Sequence, residues 1–252
     1  MIKTFSIIIT LLFINSAFAT NQPWVTTEYP QDVEKLWWDD SWWEEGKLDS
    51  PQSYKVKMEQ ITYRSGDTEI PAYVFRPEKP GDYLPVLFQH GRRGLDDLTI
   101  LAPKRLAARG FIVLAPDGYS GRFIEPFPME HDYTVDADVA NGIDALLLLP
   151  GIIGNQACAV SHTPGGYMTL KALVTHNRQN DKVACFVSYY PHCQDHNQPE
   201  TMQIYQYAPE IEDLIVPVLV FFGEHEQYQR LRPIMDGIAA LKEKGRKPQL
   251  II

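Results

Sequence analysis

Cysteine is scarce in this chain, with three residues in 252, and no C-x-x-C pair occurs among Cys158, Cys185 and Cys193. That excludes a cysteine-dense framework and offers no knuckle for a structural metal. An odd count leaves at least one free thiol. Cys158 and Cys185 fall in apolar, strand-like runs, where a cysteine is expected to be simply a small buried hydrophobe. Basic runs are missing too: 23 Lys plus Arg face 32 Asp plus Glu, a net charge of -9. Such a chain lacks the counterion-releasing surface of a nucleic-acid binder. After the opening segment nothing approaches the ~18 apolar residues of a membrane-spanning helix. Tryptophan is absent beyond Trp43.

The opening segment, MIKTFSIIITLLFINSAFA (1–19), has one cation at Lys3, a largely apolar core through Ile7–Ile14 and small residues at Ala17 and Ala19. This order is that of a secretory signal peptide cleaved before Thr20, so export to the periplasm or the exterior is expected. Residues 20–53 form an arm holding all five tryptophans, Trp24, Trp37, Trp38, Trp42 and Trp43. Paired tryptophans left in water would make an adhesive patch, so the arm is expected to dock on the domain. A glycan- or partner-binding patch is the other reading.

The remainder, 54–252, reads as one domain. YKVKMEQITYR and EIPAYVFRP, joined through Ser65–Gly66–Asp67, predict an antiparallel hairpin. From Leu84 the rhythm changes. PVLFQH, FIVLAP, ACAVSH, KVACFVSYY and PVLVFF are short apolar strands, separated by helical patterns such as YTVDADVANGIDALLLL and GGYMTLKALVTH. Strands alternating with helices predict an α/β domain with a mainly parallel, doubly wound sheet, buried on both faces.

In such a sheet the chemistry gathers just after the strands. Those positions hold His90–Gly91–Arg92–Arg93–Gly94, Asp117–Gly118, Ser161–His162–Thr163–Pro164–Gly165–Gly166 and Gly223–Glu224–His225–Glu226. From Leu84 to Ile252 this series resembles the α/β-hydrolase family, and within it the dienelactone-hydrolase-like branch. HGRRG is similar to the family's oxyanion-hole loop, SHTPGG stands where its nucleophile elbow belongs, and PVLVFFGEHE where its acid-bearing turn belongs.

The resemblance implies Thr163 as nucleophile, since Gly165 and Gly166 follow it at the family's spacing, and Glu226 as the acid. His90, Gly91, Arg92 and Arg93 would form the oxyanion and substrate-binding loop. No cofactor and no metal are implied, and the partner is a small-molecule ester or lactone. The sequence departs from the family at three points. A β-branched threonine replaces the usual nucleophile, and Ser161 beside it lacks a glycine two residues on. Pro164 has no N–H for the oxyanion. The loop that bears the family's histidine would lie past Ile252, so the domain is expected to be truncated there.

His192, after the strand KVACFVSYYP, is the substitute base best placed to reach Thr163, ahead of His162, His225 and His90. His192–Cys193–x–x–His196 with Asp195 lacks the further ligands of a metal site. The expected function is an exported hydrolase working by acyl transfer. The alternatives are a non-catalytic binding protein of the same fold and the truncated product of a longer hydrolase. Oligomeric state is not encoded in any visible pattern.

Overall fold

The computed structural model describes residues 24–25, 54–130, 133–224 and 228–252; the leader, nearly all of the arm, His225 and Glu226 lie outside them. The strands are β1 (Trp24–Val25), β2 (Val56–Ser65), β3 (Thr68–Pro77), β4 (Leu84–Gln89), β5 (Phe111–Pro116), β6 (Ala157–His162), β7 (Val183–Tyr189), β8 (Val218–Phe221) and β9 (Gln249–Ile251). They form one sheet in the order β1-β9-β8-β7-β6-β4-β5-β3-β2. β2 and β3 make the expected hairpin, closed by Gly66–Asp67 between the paired Ser65 and Thr68. β3 also runs antiparallel to β5, whereas β4 pairs parallel with both β5 and β6. β6 to β9, and β1 at the edge, are all parallel.

The main helices are α1 (Leu101–Ala108), α2 (Gly118–Arg122), α3 (Asp136–Leu147), α4 (Pro164–Val174), α5 (Glu200–Gln203) and α6 (Tyr228–Glu243). α2 and α5 are short, and 3-10 turns lie at Tyr133–Val135 and Pro209–Asp213. α1 covers one face of the sheet through Ala107, Phe75, Val86, Phe88, Val113 and Val160. α3 and α4 cover the other, burying Leu87, Ile112, Leu114, Ile143, Leu146 and Met168. α6 extends that second layer with Ile234 and Ile238 against Val220 and Leu250. Each fully buried aliphatic side chain contributes about 1.5–3 kcal/mol. β4 and β5 are buried along nearly their whole length, as strands sandwiched between helices must be.

The cysteines differ from expectation. Cys158 and Cys185 are joined in a disulfide, with Cα atoms 4.7 Å apart, and Cys193 alone is free. The cause is a register shift. β6 and β7 pair Ala157 with Val183 but Cys158 with Cys185, so Ala184 is an extra residue on β7. Without that bulge Cys158 would face Ala184, and Cys185 would point to the opposite side of the sheet. Thiol titration of the unfolded, unreduced chain should therefore find one thiol, and three after reduction. Three thiols without reductant would contradict the pairing.

Candidate active site

β6 delivers the chain to Thr163 and α4 carries it away, with Pro164 in the helix's first turn. Thr163 has φ 49° and ψ -120°, a region that a β-branched residue enters only under strain of about 1–3 kcal/mol. Main-chain bonds hold it there. Its amide donates to the Tyr189 carbonyl at 2.9 Å, and its carbonyl accepts from Gly166 at 2.9 Å and His192 at 3.1 Å. Close approach does the rest. A Cβ on Gly91 would strike Thr163 Oγ1, and one on Gly165 would strike the His90 carbonyl. On Gly166 it would come within 2.6 Å of the Pro191 Cβ. Only glycines let the β4 loop and the elbow touch, so Gly91 and Thr163 are neighbours in space.

The rivals to Thr163 are committed elsewhere. Ser161 is fully buried, and its hydroxyl pairs with that of Ser188 at 2.7 Å. The His162 ring is edge-on to Phe88 and Tyr189, with centroids 5.0 and 5.2 Å away. Burial, aided by the nearby His90, pulls its pKa down to about 4. His90 is buried at the end of β4, its Nδ1 meeting the Gly91 carbonyl at 2.8 Å and its ring packed against Tyr119. Burial lowers its pKa as well, and its Nε2 has no hydrogen-bond partner among the described residues. The Cys193 thiol is pushed up to about 12 by burial and is inert at neutral pH.

Arg92 and Arg93 are exposed, yet both engage the loop beyond α2. The Phe127 amide donates to the Arg92 carbonyl at 2.9 Å, and the Arg92 guanidinium returns a bond to the Phe127 carbonyl at 3.4 Å. Arg93 lies 5.2 Å over the Phe127 ring and pairs with Asp96. Phe123, Phe127 and Met129 in this loop are 95%, 50% and 91% exposed, and the Arg92 and Arg93 contacts bring Phe127 to the loop that bears Gly91. Pro164 cannot donate, so main-chain donors for an oxyanion must come from the Gly91–Arg93 side.

His192 lies close to Thr163 through the backbone bond already described, and its ring Nδ1 meets the Tyr133 hydroxyl at 2.7 Å. Tyr133, from the 3-10 turn before α3, is a site residue that the sequence did not announce. It stacks on His196 at 3.9 Å and meets Tyr167 edge-on at 5.0 Å. Burial raises its pKa, opposed by the charge of Arg230 on α6. Tyr167 in turn donates to Glu210 at 3.1 Å. The only sequence signal for this cluster was that aromatics and histidines sit just after strands or at helix starts. Glu224 is exposed in the turn after β8, and Glu226 and His225 fall outside the described residues. The His192 and His196 rings are 6.2 Å apart, and no cluster of three or more His, Cys, Asp or Glu among the described residues could hold a metal ion. Among those residues no helix is long and apolar enough to cross a membrane.

No protein-family model and no curated protein matches the sequence. Solved structures do. A dienelactone hydrolase-like promiscuous phosphotriesterase from metagenomic libraries is 19% identical, with a TM-score of 0.60 over 78% of this chain and 80% of that one. A proposed dienelactone hydrolase from Klebsiella pneumoniae is 21% identical, with a TM-score of 0.60 over 79% and 85%. The esterase Est22 is 14% identical, with a TM-score of 0.60 over 78% and 72%. The likeness establishes the fold: this chain has the α/β-hydrolase fold.

The neutral, buried His162 has a consequence for pH. Its folded pKa, about 4, lies below the ordinary 6.5, so the unfolded chain binds its proton first as pH falls. Its contribution to stability is intact above 6.5 and is lost progressively towards 4. Urea midpoints should fall through that window, and His162→Phe should flatten the decline. An unchanged slope in the variant would show that His162 does not drive it.

Proposed function

We propose that this chain is an exported hydrolase that cleaves a small carboxylic ester or lactone by acyl transfer at Thr163. The observation that carries the reading is the Thr163 backbone, φ 49° and ψ -120°. A β-branched residue persists in this strained conformation only where its surroundings over-determine it, and such strain gathers at functional sites. Strand, sharp turn and helix together are the context that a nucleophile elbow requires. The similarity in fold to an esterase and to dienelactone hydrolase-like proteins supports the class. Export is supported by the leader sequence and by the Cys158–Cys185 disulfide, since disulfides persist in oxidising compartments.

In this mechanism Thr163 Oγ1 attacks the carbonyl carbon while its proton passes to a base, which we assign to His192. The carbonyl oxygen becomes an oxyanion facing the amides of Gly91–Arg93. The tetrahedral intermediate collapses, the alcohol leaves with the proton, and an acyl-threonine remains. Water, deprotonated by the same base, then releases the acid and restores Thr163. Tyr133 orients the His192 ring through Nδ1, and Glu226 is assigned the family's acid role. The half-exposed Phe127 ring, held against Arg92 and Arg93, suits an apolar acyl or alkyl group. A second reading, a binding protein that has lost catalysis, is favoured by Pro164, which removes a donor from the oxyanion hole.

Purified chain starting at Thr20 should hydrolyse a small chromogenic ester, and Thr163→Ala should abolish the activity. Losing one oxyanion donor costs roughly 10²–10³ in rate, so Pro164→Ala, which restores an amide, should raise kcat about tenfold or more. A folded chain no more active than Thr163→Ala would overturn catalysis and leave the binding reading.

A further inference from the structure

Tyr119 is the second residue of α2, just past the end of β5, where functional groups collect in a parallel sheet. It is only 4% exposed, yet its hydroxyl makes no hydrogen bond to any described residue. That oxygen is not among the fully enclosed polar atoms without a partner, so the little surface the residue keeps includes its hydroxyl. A buried tyrosine ordinarily finds a partner for its O–H. A phenol sheltered along its ring and open at its oxygen is placed to donate to something that enters from solvent.

The backbone holds this phenol in place. Asp117 accepts from the Ser120 amide at 3.1 Å and from the Ser120 hydroxyl at 2.7 Å, which fixes the first turn of α2. The Asp117 amide donates to the Pro71 carbonyl of β3 at 2.8 Å. A Cβ on Gly121 would lie 2.8 Å from Ile70 Cδ1, so α2 is pressed against β3. A donor carried on so constrained a turn is preorganised.

Its neighbours are those of the candidate active site. The ring meets both ends of the loop after β4: its centroid is 4.6 Å from that of His90, and a Cβ on Gly94 would lie 3.5 Å from Tyr119 Cδ2. Between those ends is Gly91, the residue that approaches Thr163 Oγ1. The phenol also lies near enough to the Arg92 guanidinium and the Tyr133 phenol for their charges to interact, and Tyr133 meets His192 Nδ1 at 2.7 Å. Burial raises the Tyr119 pKa against the opposing pull of Arg92. The hydroxyl therefore keeps its proton and can donate it to a hydrogen bond.

We infer that the Tyr119 hydroxyl donates to the oxyanion formed on the attacked carbonyl, in place of the amide that Pro164 lacks. The inference rests on the acyl-transfer reading. As Thr163 Oγ1 adds to the carbonyl carbon, the carbonyl π pair moves onto its oxygen. That oxygen accepts from the phenol and from the Gly91–Arg93 amides, and the pair returns to the C–O bond as the alcohol leaves. The phenol stays protonated throughout, so it stabilises charge without consuming a base. Side-chain hydroxyls serve this purpose as well as amides do.

Tyr119→Phe removes the hydroxyl and keeps the ring that packs on His90 and Gly94. In the chain starting at Thr20, kcat on nitrophenyl acetate should fall about 10²-fold while KM stays, as loss of a contact made only in the transition state requires. An unchanged kcat would overturn the inference. So would a rise in KM alone, which would make the phenol a contact of the bound ester. Phenylphosphonate, a tetrahedral anion whose binding needs no turnover, separates this inference from the reading beneath it. Calorimetry should find it bound about tenfold more weakly by Tyr119→Phe than by the unaltered chain. If the unaltered chain does not hydrolyse the ester, that difference would overturn acyl transfer and keep the phenol as the anion's donor. Equal or absent phenylphosphonate binding in that case would overturn both.

Discussion

The junction between β6 and α4 is the constraint on which the rest of the cleft depends. Thr163 is held at positive φ by hydrogen bonds from three directions, to Tyr189, Gly166 and His192. Those bonds fix where β7 ends and where its following loop turns. The glycines fix how near β4 comes, and the loop after β4 then pins the Phe127 loop through Arg92. Strain at one residue is offset by contacts spread over four segments, which is how a packed interior keeps an unfavourable backbone in place.

Folding and chemistry make opposite demands on the next position. Proline at the start of α4 is pre-set for a helix and sacrifices an amide the helix would not have used. That amide is the one an oxyanion would have used. The surroundings show a similar economy of charge: His90 and His162 are buried and held towards their neutral forms. They serve as packing for the loop and the elbow rather than as proton carriers, whereas His192 is tied to Tyr133 by its ring and to the Thr163 carbonyl by its amide.

Much of this was legible in the sequence because it depends on local pattern. Short apolar runs bounded by Gly and Pro gave the strands, and the spacing of Gly165 and Gly166 from Thr163 marked the elbow. What could not be read depends on how distant segments meet. The bulge at Ala184 has no signature in KVACFVSYY, yet it decides that Cys185 faces Cys158 rather than away. Tyr133 likewise looks like the first residue of a helical pattern. Its role arises only because the turn before α3 reaches the loop after β7. The resemblance assigns Arg92 and Arg93 to the oxyanion loop, and their grip on Phe127 is a product of packing that no motif announces.

The bond between Cys158 and Cys185 also does something that its place in the sheet does not at first suggest. The residues it joins are 27 apart in sequence, and between them lie Thr163, Pro164 and the whole of α4. The elbow therefore sits inside a closed covalent ring anchored on two adjacent strands. A protease that cut the chain anywhere within that ring would release no fragment. Both halves of the molecule would stay tethered beside the cut, with the ends of β6 and β7 still side by side. For a protein proposed to be exported, that makes a single nick within the ring survivable.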